Sequence, residues 1–232
     1  GCDGETGDDD DLDPLAYLVD PSDTNYDLYT GEWWQWVGTF EYFTGPVHGE
    51  ACDQHQDYGA FFLAGSYGGE STRNCTVPNA QRIFLPICNW VCYSCPHVFQ
   101  EEDCQVATEE GAEACAQGYP DPSVTMDMWA KVNGVDVPVT DDYIFYTDAY
   151  PMTYLDPGAG PLYEEDYDWD CADPWTDGNV CDMPAGDPKW AASAGHHLMF
   201  EPFPPGEYTL QFRCEFVEWK WFLEITYNLT IE

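Results

Sequence analysis

The chain is 232 residues long and carries 44 Asp and Glu against 6 Lys and Arg, a formal charge of −38 at neutral pH. Its cations, Arg73, Arg82, Lys131, Lys189, Arg213 and Lys220, are scattered, so no basic patch for nucleic acid can be assembled, and anionic membranes are repelled. The 44% apolar and 16% aromatic content supplies a core, which excludes disorder for most of the chain, and no stretch approaches the roughly 18 apolar residues of a membrane-spanning helix.

The chain begins Gly1-Cys2, which resembles the end of a bacterial lipobox, where a small residue precedes a lipidated cysteine. Residues 1–14, with the run Asp8 to Asp11 and Asp13, form an acidic spacer able to hold a domain off a membrane, and residues 15–232 are expected to make one domain. A free or locally paired thiol is the plainer reading of Cys2. No signal peptide is visible, so a mature or trimmed form is expected.

Next, Tyr26, Tyr29, Trp33, Trp36, Val37 and Phe40 recur at three- and four-residue steps, and Thr24 with Asp27 suggests a capping box. This spacing predicts a helix over 24–39 with an aromatic core stripe. The apolar runs Ala60 to Ala64 and Arg82 to Ile87, bounded by Gly68-Gly69 and Pro78-Asn79, predict buried strands. The Ala- and Glu-rich stretch 101–117 predicts a second helix.

From Ser123 the pattern becomes β. Val124, Met126, Met128, Ala130 and Val132 alternate with more polar residues, and Asn133-Gly134 offers a type I′ turn into Val135 to Val139. Pro204-Pro205-Gly206 turns into a strand with Tyr208, Leu210, Phe212 and Cys214 on one face and Glu207, Thr209, Gln211 and Arg213 on the other. In the last strand, Trp221, Leu223, Ile225, Tyr227, Leu229 and Ile231 point one way, while Glu224, Thr226, Asn228 and Thr230 face solvent. The expected fold is mainly β: an antiparallel β-sandwich or jelly-roll-like domain with two short accessory helices, rich in disulfides.

Of the eleven cysteines, Cys2 is set apart, and the other ten, Cys52, Cys75, Cys88, Cys92, Cys95, Cys104, Cys115, Cys171, Cys181 and Cys214, suffice for five bridges in an oxidising compartment. Cys88, Cys92 and Cys95 with His97 also have spacing suited to zinc, although thiols in an oxidising setting pair first. On one helix, Cys104 and Cys115 would stand about 16 Å apart, beyond bridging reach. They are therefore expected to reach members of the 88/92/95 group and staple the helix to the sheet. Cys171 and Cys181 can close an acidic loop on themselves.

That loop, 164–182, is the expected ligand site. Asp166, Asp168, Asp170, Asp173, Asp177, Asn179 and Asp182 supply oxygens dense enough for a structural calcium. The loop is not an EF-hand: Cys171 stands where the turn needs Gly, and Asp177 where a bidentate Glu belongs. Spread evenly, the net charges would sit roughly 17 Å apart, beyond the Debye length of about 8 Å at physiological salt. In clusters such as this loop, only bound cations or raised pKa values relieve the repulsion. The acid enrichment typical of halophiles is the competing reading of the same composition.

The histidines are His48, His55, His97, His196 and His197. His196-His197 is placed just before a strand Leu198-Met199-Phe200, with the two rings on opposite faces. No nucleophile elbow accompanies Cys52-Asp53-Gln54-His55-Gln56-Asp57, and no pair of carboxylates is singled out, so no enzyme is expected. Asn74-Cys75-Thr76 and Asn228-Leu229-Thr230 are glycosylation sequons.

Several blocks resemble an uncharacterised family of secreted bacterial β-rich proteins: Trp33-Trp34-Gln35-Trp36, Phe62-Leu63-Ala64-Gly65, Cys75-Thr76-Val77-Pro78, Pro205-Gly206-Glu207-Tyr208-Thr209 and Thr226-Tyr227-Asn228-Leu229-Thr230. The resemblance implies one extracellular domain and carries no activity, and Cys88, Cys92 and Cys95 depart from it. The expected function is a non-enzymatic extracellular or cell-surface protein, stabilised by disulfides and calcium, that contacts itself or other surface components and self-assembles. Ten tryptophans and sixteen tyrosines motivate the alternative, a carbohydrate-binding or glycan-active domain.

Overall fold

The computed structural model describes residues 13–40, 45–47, 52–93, 108–152 and 189–232. Within them two five-stranded sheets face each other. The first runs β1 (Ala60–Phe62), β3 (Arg82–Tyr93), β8 (Lys189–Phe200), β6 (Ile144–Tyr146), with β7 (Tyr150–Met152) also on β8. The second runs β2 (Gly69–Val77), β10 (Trp221–Ile231), β9 (Gly206–Phe216), β4 (Met126–Val132), β5 (Val135–Val137). The expected sandwich is present with one addition: each sheet is mixed, because β1 lies parallel to β3 and β2 lies parallel to β10.

The best-aligned strands follow their sequence patterns. In β10 Leu223, Ile225, Tyr227, Leu229 and Ile231 are buried while Asn228 is exposed, and β9 pairs with it antiparallel from Trp221↔Phe216 to Ile231↔Gly206. The β4–β5 hairpin turns at Asn133 and Gly134, whose φ angles of 48° and 78° are those of a type I′ turn. Both positions need left-handed backbone, which Asn and Gly adopt at least cost.

Helix α1 (Asn25–Val37) buries Tyr26, Tyr29, Trp33, Trp36 and Val37 against the outer face of the first sheet. Tyr26 stacks on Phe145 at 4.0 Å, and Tyr26 and Tyr29 both meet Phe84. The anticipated capping box does not form. Thr24 is already helical in backbone angle and makes no side-chain cap, whereas Asp23 Oδ1 accepts from the Asn25 amide at 2.9 Å. Asp23 also joins Arg82, which clasps Glu201 through two nitrogens and so ties the start of α1 to the ends of β3 and β8. Upstream, Leu18 bridges to Phe200, and Val19 and Glu201 complete that short ladder.

Strand β8 departs most from expectation. It spans twelve residues rather than three, and His196 and His197 lie inside it. Every residue from Ala191 to Phe200 is buried, because α1 covers one face and the second sheet with α2 (Glu109–Ala116) covers the other. Small side chains make room: Ala192 and Ala194 receive Ala112 and Ala116 of α2. At Gly195 an added Cβ would stand 2.6 Å from the Cys88 carbonyl, so only glycine fits beside the irregularity between Pro86 and Cys88 in β3. Of the helix expected over 101–117, α2 is the described part. No described helix is long and apolar enough to cross a membrane.

Candidate functional site

The outer face of the second sheet is built from alternate residues of four strands. Strand pairing places Thr72, Thr226, Gln211 and Lys131 in one row, and Asn74, Asn228 and Thr209 in the next. Neighbours in these rows bond laterally: Asn228 Nδ2 donates to Asn74 Oδ1 at 3.0 Å, Gln211 Nε2 to Thr226 Oγ1 at 3.3 Å, and Thr230 to Glu207. Such cross-strand pairs fix side chains that would otherwise wander. A shallow hollow of about 300 Å³ opens at one margin, between Glu70, Ser71, Thr72, Glu224 and Thr226.

Beside these rows stands a cationic and aromatic group. Arg213 pairs in register with Trp129 and lies 4.4 Å above the Phe222 ring while donating to Glu215 and Glu224 at 2.6 and 2.8 Å. Those carboxylates hold the guanidinium pKa up. Lys131 sits 5.7 Å over Trp129 and 3.3 Å from Asp136. A molecule of charge −38 thus carries two of its six cations on one sheet face, each against an aromatic ring.

Three disulfides are described, with Cα separations of 5.7 to 6.0 Å: Cys52–Cys75, Cys88–Cys214 and Cys92–Cys115. Cys92–Cys115 ties α2 to β3, the staple expected of Cys115. Cys88 joins Cys214 instead, linking the two sheets through the core. These bridges are consistent with an oxidising compartment. Cys2, Cys95, Cys104, Cys171 and Cys181 lie outside the described residues, and with them Asp166, Asp168, Asp170, Asp173, Asp177, Asn179 and Asp182, the expected calcium ligands. Among the described residues no group of three or more His, Cys, Asp and Glu is placed to hold a metal.

The sequon asparagines, Asn74 and Asn228, face each other on the exposed sheet surface. His48 and His97 fall outside the described residues, and His55 stacks on Phe40 and bonds Thr39. His197 is fully buried between Phe84 and Phe145, where loss of hydration lowers its pKa to about 3. His196 faces the other way, as adjacent strand residues must. Its Nδ1 lies 2.7 Å from the Tyr119 hydroxyl, which donates to the Cys88 carbonyl, and burial lowers its pKa against the opposing pull of Asp141. The sequence signals of β10 and β9 pointed to this sheet face. Strand β2, which completes it, carries no apolar run and was not anticipated.

No protein-family model matches the chain, and no curated protein matches it. Among solved structures it is similar to a chain described as PbICP-C in complex with falcipain-2, at 9% identity and a TM-score of 0.25, covering 75% of this chain and 100% of that one. At that score the likeness carries no argument about fold or function.

Proposed function

We propose that the chain is a non-enzymatic domain of an extracellular or cell-surface setting that works by contact, using the outer face of its second sheet. The carrying observation is the laterally bonded lattice of Thr, Asn and Gln beside Trp129, Arg213 and Phe222. Hydroxyls and amides held in fixed rows lose little side-chain entropy when a partner arrives, so each bond to that partner is worth more. A structural calcium in the 164–182 loop belongs to this reading on the strength of that loop's oxygen-rich sequence. Within the second sheet, self-association by strand addition would use β2 or β5, its edges among the described residues, because β9 and β10 are paired on both sides. Size-exclusion chromatography in calcium and in chelator, on wild type and on Trp129→Ala with Arg213→Ala, tests the reading. A partner or self-assembly lost with the two substitutions supports it, and unchanged binding removes the face from consideration.

The same aromatic and polar mixture favours a second reading, recognition of carbohydrate, in which Trp129 and Phe222 stack on sugar rings and the Thr and Asn rows bond hydroxyls. A glycan array with no hits for the wild type would set this reading aside.

A further inference from the structure

A cavity of about 150 Å³ opens where α1, β3 and the hairpin end of β9 and β10 meet. Trp33 and Trp34 of α1 form one wall, Phe216, Trp221 and Leu223 form another, and the segments Gly65–Tyr67 and Pro86–Asn89 close it. Its size is close to that of engineered apolar cavities that admit benzene. Three features of its lining define what it would take.

The first is a pair of unspent donors. Trp33 Nε1 donates to the Leu63 carbonyl at 2.8 Å and Trp221 Nε1 to the Tyr67 carbonyl at 3.0 Å. By contrast, Trp34 Nε1 and Asn89 Nδ2 are buried with no hydrogen-bond partner, and both residues line this cavity. Buried N–H groups left unpaired cost about 1 to 3 kcal/mol each, so a guest bearing an acceptor would relieve a standing penalty. The second feature is charge: no Lys, Arg, His, Asp or Glu is among the described lining residues. A carboxylate guest would be buried without a counterion in a molecule of charge −38, and a cation would meet the positive ends of two N–H dipoles. The third is aromatic walls, with Trp33 and Trp34 edge-to-face at 4.9 Å.

We infer that this cavity is a binding site for a small, neutral, flat apolar molecule carrying a carbonyl or similar acceptor, recognised by Trp34 Nε1 and Asn89 Nδ2. The inference is independent of the sheet-face reading, since the two sites share no named residue.

Acetophenone, isopropylbenzene and benzoate serve as probes, followed by tryptophan fluorescence and by indole N–H signals in NMR on the full chain. Acetophenone binds and shifts the Trp34 indole signal, and benzoate does not bind. In Asn89→Leu the affinity ratio of acetophenone to isopropylbenzene falls about tenfold, the factor expected for one hydrogen bond of about 1.4 kcal/mol. Gly65→Val fills the space: a Cβ there makes ordinary contact with Leu223 at 3.5 Å, and affinity for both uncharged probes drops at least about tenfold. Leu223→Phe serves as a second filling variant, so failure of one substitution to fold leaves the measurement intact. No probe binding at millimolar concentration, an unchanged ratio in Asn89→Leu, undiminished binding in a filled variant, or benzoate binding as tightly as acetophenone would each overturn the inference.

Discussion

At the level of single residues, the interior holds polar groups that are costly to change. Arg73 is 3% exposed and faces no carboxylate within bonding distance among the described residues. Its guanidinium donates to the carbonyls of Val47, Ala64 and Gly65 and to the Tyr227 hydroxyl, between 2.8 and 3.1 Å. It thereby satisfies an irregular stretch of backbone that no strand partners. Arg73→Met keeps the bulk and strands the Val47 and Gly65 carbonyls, Ala64 keeping the Tyr227 hydroxyl as its donor, so thermal melting is expected to show a loss on the order of 3 kcal/mol, roughly 6 to 12 °C for a chain of this size. His197 gives a pH signature instead. Its folded pKa lies below its unfolded value of about 6.5, so the unfolded chain binds the extra proton and stability is lost as pH falls from there toward about 3. His197→Phe is expected to flatten the acid limb of the stability curve by about 1.4 kcal/mol per pH unit within that window, measured by urea unfolding against wild type. An identical acid limb in the two proteins would place the proton uptake elsewhere.

Elements differ in how openly their sequences declare them, and the cause is which faces are covered. Strands β9 and β10 have one wet face, so their alternation was plain, and α1 was visible because its aromatic stripe recurs at helical steps. Strand β8 is covered on both faces. Its Lys-Trp-Ala-Ala-Ser-Ala-Gly-His-His run has neither period 2 nor β-branched residues, and only its Leu-Met-Phe end was legible. Strand β2 was hidden for another reason: the inward positions preceding Val77 are Arg73 and Cys75, whose burial depends on a carbonyl cage and a disulfide that no local pattern reveals. The candidate sheet face was half legible for the same reason, Asn228 and Thr226 being foreseeable and Asn74 and Thr72 not as their strand neighbours. The disulfides carry a prediction at this scale. Cys88–Cys214 closes a separation of 126 residues and Cys92–Cys115 one of 23. Chain-entropy arguments give about 4.9 and about 3.4 kcal/mol respectively. Paired alanine substitutions followed by thermal melts should therefore show the larger loss for Cys88/Cys214, which also leaves a gap in the core between the sheets.

For the whole molecule, charge is the governing quantity. Of the cations with described side chains, Arg82 and Arg213 each hold two carboxylates and Arg73 is enclosed, so little positive charge is left to offset the acidic exterior. Screening should then stabilise the fold, and melting temperature is expected to rise as sodium chloride is raised from 0.05 to 1 M. The two readings of the acid enrichment part here. If the 164–182 loop holds calcium, a few millimolar calcium chloride raises melting beyond sodium chloride at matched ionic strength; a general acid surface responds to ionic strength alone.

The Leu18–Phe200 bridge and the Ile231–Gly206 pairing lie within a few residues of one another along the chain, which puts both ends of the described fold at one pole. The turn between β9 and β10, bearing Trp219 at 52% exposure, sits at the opposite pole, about 35 Å away along an eleven-residue strand. Any leash fastened to the amino terminus would accordingly join the domain at the pole opposite that turn, the end beside which the tryptophan-walled chamber lies.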